Sequence, residues 1–137
     1  MTKHAILNAN YIKKSLSHLY DVPFSEGTLH EFVISAIKQK NKGAKALDIA
    51  KSLLDYGFYA PTIYFPINVP ESIMIEPTES EDKETLDRFI SAMLEIDQNI
   101  DLDKEKIVNA PFNTPVSRLD ETKANRELNL RWNNDEL

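Results

Sequence analysis

The stretch LLDYGFYAPTIYFPINVPESIMIEPTES, residues 53–80, decides the fold. Its first residues end a helix, because Gly57 can adopt the left-handed conformation that stops one. Pro61 and Pro66 then bracket an extended segment, and a second extended segment covers residues 72–76. The link between the two segments is short and ends in proline, which fits a hairpin-like loop or an edge position in the sheet. The expected order is therefore helix, strand, strand and the start of another helix.

The segments before this stretch show the spacing of two helices and one strand. Residues 6–19 carry apolar side chains at intervals of three and four, which predicts a helix that ends near Tyr20. Residues 28–34 are rich in β-branched and aromatic side chains, which predicts a strand. Residues 46–56 repeat the helical spacing. Between the strand and this helix, residues 38–42 (KQKNK) predict a polar loop with three lysines.

A long amphipathic helix is expected after residue 80. Thr78 or Ser80 would cap it, and the acidic residues of its first turns suit the positive end of the helix dipole. Its predicted buried face consists of Leu86, Phe89, Ile90, Met93 and Ile96. A further short helix is predicted at residues 103–108, and beyond Pro111 the periodicity fails.

These elements predict the fold class and the domain organisation. Helices that alternate with a few short strands indicate an α+β fold, in which a small sheet packs against helices. Residues 1–110 are expected to form the domain. Residues 111–137 are expected to form a C-terminal tail that packs on the domain or on a partner.

The composition excludes several classes of function. A chain of 137 residues with 42% hydrophobic content suits one domain with one core. The formal net charge of -6 argues against a nucleic-acid partner. The chain has no cysteine, which excludes disulfides and thiol nucleophiles. No apolar run approaches the ~20 residues of a membrane span, so we expect a cytoplasmic protein with no membrane partner.

The residues alone indicate no self-contained catalytic or metal site. The three histidines lack the spacing of a metal-binding pair, and the isolated glycines form no phosphate-binding loop. The lysines of residues 38–42 are expected to be solvated, whereas a Schiff-base lysine needs a desolvated amine. We therefore expect no catalytic, cofactor-binding or metal-ligating residue in this chain.

Five residues are candidates for the wall of a cleft: His30, Pro61, Thr62, Glu76 and Thr78. Each also has a structural alternative. His30, inside the predicted strand, could contact a ligand or a partner domain, or it could bond only to backbone. Glu76 ends a strand where a helix N-terminus could face an anion, although the acidic run beside it could serve only as capping. Pro61 and Thr62 either line the cleft or form a rigid turn.

Several short motifs, taken in order, resemble one family. They are AILNANYI (5–12), HEFV (30–33), LDIAK (47–51), DYGF (55–58), APT (60–62), IEPTES (75–80), TPV (114–116), RLDE (118–121) and LRW (130–132). Together they cover nearly the whole chain. The chain resembles the C-terminal domain of the glycine-decarboxylating P-protein of the glycine cleavage system, and in particular subunit 2 of the two-subunit form.

The resemblance implies a fold and a reaction. Members have the aspartate-aminotransferase-like pyridoxal-phosphate fold, of which this chain would be the small C-terminal domain. In the family a large domain holds pyridoxal phosphate through a Schiff-base lysine that follows a histidine, and nothing in this chain looks like that motif. The parent enzyme, glycine dehydrogenase, decarboxylates glycine and passes the aminomethyl group to the lipoyl H-protein. The resemblance therefore implies three partners, which are the large domain, subunit 1 and the H-protein, and an isolated chain that is inactive and binds no cofactor.

Three departures from the family pattern keep a second interpretation open. Tyr59 stands where the family often has histidine, and Phe112 and Asn113 stand where it usually has histidine and threonine. Residues 35–37 replace an Asp-Leu-Arg stretch that many members carry. If those family side chains line the active site, the parent of this chain is weakened or divergent, and if they are structural the changes are neutral. The alternative is a non-catalytic binding or regulatory module that retains the fold.

Overall fold

The computed structural model describes residues 1–131. The helices and strands of this part of the chain are, in order, α1 (Thr2–Leu16), β1 (Phe32–Ser35), α2 (Ile37–Asn41), α3 (Ala46–Asp55), β2 (Thr62–Ile63), β3 (Ser72–Ile75), α4 (Lys83–Leu102), α5 (Lys104–Val108) and α6 (Glu121–Arg126). Within these residues no helix has the length and apolar character needed to cross a bilayer. Trp132 and the other residues of 132–137, at the end of the predicted tail, lie outside the described residues.

The strands form one antiparallel sheet in the order β1-β3-β2, so β3 is central. Phe32 pairs with Ile75 across β1 and β3, and Thr62 pairs with Met74 across β2 and β3. β2 and β3 are consecutive neighbours, as the proline-bounded link predicts. The predicted α+β fold class, with a small sheet packed against helices, is confirmed.

The core lies between the sheet and the helices. Its fully buried side chains include Ile12, Leu16, Ile34, Ile49, Leu53, Ile73, Met93 and Ile96. Burial of each such side chain contributes about 1.5–3 kcal/mol. α1 ends at Leu16 rather than near Tyr20, because the chain turns there and buries the Tyr20 ring. Phe89, predicted in the buried face of α4, is half-buried, and its ring meets Phe58 edge-on at 5.3 Å between centroids.

Residues 37–41 form α2, so the prediction of a polar loop was wrong. Gln39 is buried, and its Nε2 donates to Asp97 Oδ1 at 2.7 Å and to Leu19 O at 3.4 Å. The three lysines pair with acidic side chains: Lys38 with Asp21 at 2.6 Å, Lys40 with Glu71 at 2.7 Å and Lys42 with Asp101 at 2.7 Å. The sequence shows no apolar helical spacing here, because the buried side chain that fixes α2 is the amide of Gln39 and not an apolar group.

The strands are shorter than predicted. β1 begins at Phe32, so His30 lies in the loop before the strand and not within it. The physical reason is register, since Phe32 faces Ile75, the last residue of β3, and earlier residues have no partner in the ladder. Glu76 likewise follows β3, and β2 is limited to Thr62–Ile63.

The cap of α4 also differs from the prediction. Asp82 is the N-cap, and its carboxylate accepts the Thr85 N–H at 2.8 Å. Thr78 and Ser80, the predicted caps, instead share a hydrogen bond between their hydroxyls at 2.7 Å. A carboxylate accepts a stronger, charge-assisted hydrogen bond than a hydroxyl does, so the helix begins at the later residue.

The first part of the predicted tail is attached to α3. The Asp55 carboxylate accepts the N–H groups of Phe112 at 2.8 Å and of Asn113 at 2.7 Å. Further along, the Arg118 guanidinium lies 3.0 Å from Asp48. These contacts hold residues 112–118 along the helix. α6 follows with no buried residue, and the sequence did not predict it.

Candidate active-site cleft

A cleft of about 340 Å³ opens at the end of the sheet where β2 begins and β3 ends. It lies between the loop that leads into β2, the residues that follow β3, and the first turns of α4. Its lining consists of Ile12, Phe58, Tyr59, Ala60, Pro61, Thr62, Met74, Ile75, Glu76, Pro77, Glu81, Thr85, Leu86 and Phe89. Most of these side chains are apolar and a few polar groups converge among them, which is the composition of a small-ligand site.

A second hollow, the side pocket, lies next to the cleft and has a volume of about 490 Å³. The start of α1 and residues 76–79 form its sides, and Leu29 and His30 complete it. Glu76 and Pro77 belong to both linings. The segment after β3 is therefore a wall shared by the cleft and the side pocket.

The structure distributes the five sequence candidates between these two hollows. Pro61, Thr62 and Glu76 line the cleft. His30, Thr78 and again Glu76 line the side pocket. His30 Nε2 lies 4.0 Å from Glu76 Oε1, and about half of each side chain is exposed. Glu76 is therefore the one of the five candidates that lines both hollows.

The side chains of the two linings carry negative charge. Among the described residues that form them there are three glutamates, Glu76, Glu79 and Glu81, and no lysine or arginine. Pyridoxal phosphate needs a lysine for its Schiff base and cations or N–H groups for its phosphate. These residues do not fit that cofactor as a complete site. Within residues 1–131, no three metal-ligating side chains come together.

The positions that are expected to depart from the family pattern have different surroundings. Tyr59 lines the cleft with its side chain almost fully exposed. Phe112 and Asn113 lie at the end of α3, where their backbone N–H groups contact Asp55. Ser35 is buried, and its hydroxyl donates to the Pro70 carbonyl at 2.6 Å. Of these positions, Tyr59 is the one in the cleft lining.

At the opposite end of the sheet, Glu71 forms a polar cluster that is not predicted from the sequence. Its Oε2 accepts the Ala46 N–H at the start of α3 at 2.9 Å, and its Oε1 lies 2.7 Å from Lys40 Nζ. Burial favours a higher pKa for the Glu71 carboxyl, but these two partners outweigh it and hold the pKa below its usual value. One signal was available, because α3 starts without a Ser, Thr or Asn cap and Asp48 accepts only the Lys45 N–H, which leaves the Ala46 N–H in need of another partner.

A family model described as "Glycine dehydrogenase, C-terminal domain" matches residues 1–116. Three relatives carry the name "Probable glycine dehydrogenase (decarboxylating) subunit 2". The relative from Bacillus licheniformis is 53% identical over 132 residues, or 96% of this chain. The relative from Staphylococcus haemolyticus is 52% identical over 134 residues, or 98% of the chain. The relative from Chloroherpeton thalassium is 51% identical over 132 residues, again 96%.

The match covers a limited part of each relative. The chain spans 27% of the length of each of these three proteins. The matched family model and the identity over nearly all of this chain agree with each other and with the motifs of the sequence. The chain therefore belongs to the family of the glycine dehydrogenase C-terminal domain.

Proposed function

We propose that this chain acts as the C-terminal domain of a decarboxylating glycine dehydrogenase, in its subunit 2. The observation that carries this proposal is the 53% identity that extends over 96% of the chain. Because the chain corresponds to 27% of that relative, the proposed reaction also needs the larger part of such a subunit.

The proposed reaction is the cleavage of glycine. Glycine loses its carboxylate as carbon dioxide, and its aminomethyl group passes to the lipoyl arm of the H-protein. Pyridoxal phosphate, when bound, takes up the electrons left by decarboxylation. The residues of the cleft do not fit this cofactor, so we assign it to the larger part of the subunit. Subunit 1 and the H-protein are the proposed partners, and the cytoplasm is the proposed location.

In this proposal the chain contributes one wall of the active site. The apolar lining of the cleft excludes water when it faces the larger part of the subunit. Pro61 keeps the loop before β2 rigid, and Thr62 offers a hydroxyl beside it. Glu76 and His30 are the charged and titratable groups at the boundary between the cleft and the side pocket, and Thr78 lines the side pocket. We assign contact with glycine or with the larger part to these five residues.

The test is glycine-dependent exchange of labelled bicarbonate, with pyridoxal phosphate and H-protein present. The chain is assayed alone and then together with subunit 1 and a Bacillus licheniformis subunit 2 from which the matching 27% has been removed. Omission of this chain is the negative control, and the full-length relative is the positive control. We expect exchange only when all components are present.

The outcomes separate the proposed function from its alternative. Exchange that depends on this chain supports a glycine dehydrogenase domain. No exchange, with a folded chain and an active positive control, contradicts the proposal and favours a non-catalytic binding or regulatory module. Exchange by the chain alone contradicts the assignment of the cofactor to the larger part.

A pair of variants tests the cleft itself. Glu76→Gln removes the charge at the shared wall, and we expect exchange to fall at least about tenfold. Glu84→Gln is the matched control, because Glu84 is exposed on α4 and does not line the cleft or the side pocket. Equal rates for the two variants would contradict the placement of Glu76 in the active site.

A further inference from the structure

We propose that Asn8 is a positioning residue for the active-site wall. Its side-chain amide fixes residues 76–81, called the strap below, which separate the cleft from the side pocket. This inference rests on the proposed function for its effect on catalysis. Its structural part can be tested on the chain alone.

Asn8 connects two segments that are distant in the sequence. It lies in α1 and is 5% exposed. Its Nδ2 donates to the Thr78 carbonyl at 2.9 Å and to the Glu81 carbonyl at 3.2 Å. The side-chain amide of Asn8 therefore donates both of its protons to carbonyls of the strap. A buried donor that loses its acceptor costs free energy of folding, so these two bonds favour one position of the strap.

The strap has little structure of its own. It lies between Ile75, where β3 ends, and Lys83, where α4 begins, and it is neither helix nor strand. Its own backbone contributes one turn bond, from the Glu81 N–H to the Thr78 carbonyl at 3.3 Å. The same Thr78 carbonyl accepts from Asn8, so the side chain closes the turn and ties it to α1.

The position of the strap determines the geometry of both hollows. Glu76 lines the cleft and the side pocket, Glu81 lines the cleft, and Thr78 lines the side pocket. If the two bonds from Asn8 are lost, these side chains move together with the backbone that carries them. Asn8 itself lines neither hollow, so it acts on the site through the strap.

Two substitutions at position 8 remove the donors in different ways. Asn8→Asp keeps the shape but places a carboxylate, which can only accept, against two carbonyls. Asn8→Ala removes the donors without adding charge, and it serves if the aspartate variant does not fold. Asn10→Ala is the matched control, because Asn10 lies on the same helix and its Nδ2 also donates to two carbonyls, those of Ile6 at 2.9 Å and Thr28 at 3.2 Å.

The first readout is hydrogen exchange of the Glu81 backbone amide, followed by NMR in the free chain. We expect exchange about tenfold faster in the Asn8 variants than in the parent chain, because the turn opens locally. In Asn10→Ala the Glu81 amide should exchange at the parent rate. Parent-like exchange at Glu81 in a folded Asn8 variant would overturn the proposal.

The second readout uses the complemented enzyme. A displaced strap changes the wall that glycine meets, so we expect the KM for glycine to rise about fivefold in Asn8→Ala with kcat within about twofold. A purely structural role would lower the active fraction, and so kcat, with KM unchanged, and that result would overturn the catalytic part. If the parent chain fails to complement, the proposed function fails, and the Glu81 amide still decides whether Asn8 fixes the strap.

Discussion

Removal of the Glu71 carboxylate is the perturbation with the clearest expected effect on stability. Glu71 is buried at the end of the sheet opposite the cleft, and it accepts the Ala46 N–H at the start of α3, next to the Lys45 N–H that Asp48 accepts. Its backbone φ of 49° lies in the left-handed region, which costs about 1 kcal/mol or more in a residue with a side chain. The two partners of its carboxylate compensate for that conformation.

The expected size follows from the two contacts. Glu71→Ala removes the cap and leaves the Ala46 N–H buried without an acceptor, which costs about 1–3 kcal/mol. The loss of Lys40 as a partner adds little, because 48% of the Lys40 side chain is exposed and water can replace the carboxylate. We expect a total loss of about 2–3 kcal/mol for Glu71→Ala, and about 1 kcal/mol for Glu71→Gln, which keeps an acceptor but loses the charge.

The effect should depend on pH in one direction. The pKa of Glu71 is lowered in the folded chain, so the ionised carboxylate contributes stability that is fully present above the ordinary pKa of a glutamate. That contribution is lost as the pH falls through the folded pKa. The difference in stability between the parent chain and Glu71→Gln should therefore be constant at neutral pH and shrink below about pH 4.

Urea unfolding followed by far-UV circular dichroism measures these differences. Lys38→Ala is the matched control, because it breaks a surface ion pair of α2 with Asp21 and should change the stability by less than about 0.5 kcal/mol. A Glu71→Ala chain as stable as the parent would refute the capping argument. A gap between the parent and Glu71→Gln that widens in acid would refute the direction of the pKa shift.

Three further changes test other parts of the structure. Asp82→Ala should cost about 1 kcal/mol in urea unfolding, whereas Ser80→Ala should stay within about 0.5 kcal/mol; equal effects would contradict the assigned cap of α4. Met93→Ala should cost about 2–5 kcal/mol by the same measurement, because its side chain is fully buried, and a loss below that range would place it outside the core. Asp55→Ala should release the tail and speed trypsin cleavage at Arg118 about tenfold, and an unchanged cleavage rate would argue against the attachment.

The large helices could be predicted from the sequence because their information is local. The apolar spacing in α1, α3 and α4 marks one face of each helix, and the structure buries that face. α2 could not be predicted, because Gln39 is anchored by an Asp97 that is distant in the sequence. The start of β1 could not be predicted either, because it depends on where β3 ends and not on the residues of β1.

The candidate site could be predicted only in part. Glu76 stands out in the sequence because a strand that leads into a helix N-terminus can place backbone N–H groups beside an anion, although α4 begins only at Lys83. The proximity of His30 to Glu76 depends on the pairing of β1 with β3, which no local pattern reveals. Asn8 and Glu71 were missed for a related reason, because each acts through a side-chain bond to the backbone of a distant segment.

The attachment of the tail has a consequence for how this chain can vary. Asp55 is the last residue of α3, where the negative end of the helix dipole disfavours a carboxylate, and the backbone N–H groups of residues 112 and 113 offset that charge. Backbone groups are the same whatever side chain they carry. Phe112 and Asn113 therefore hold the tail as well as histidine and threonine, the residues expected there in the family, would. Proline, which has no N–H, is the substitution that this attachment forbids at either position.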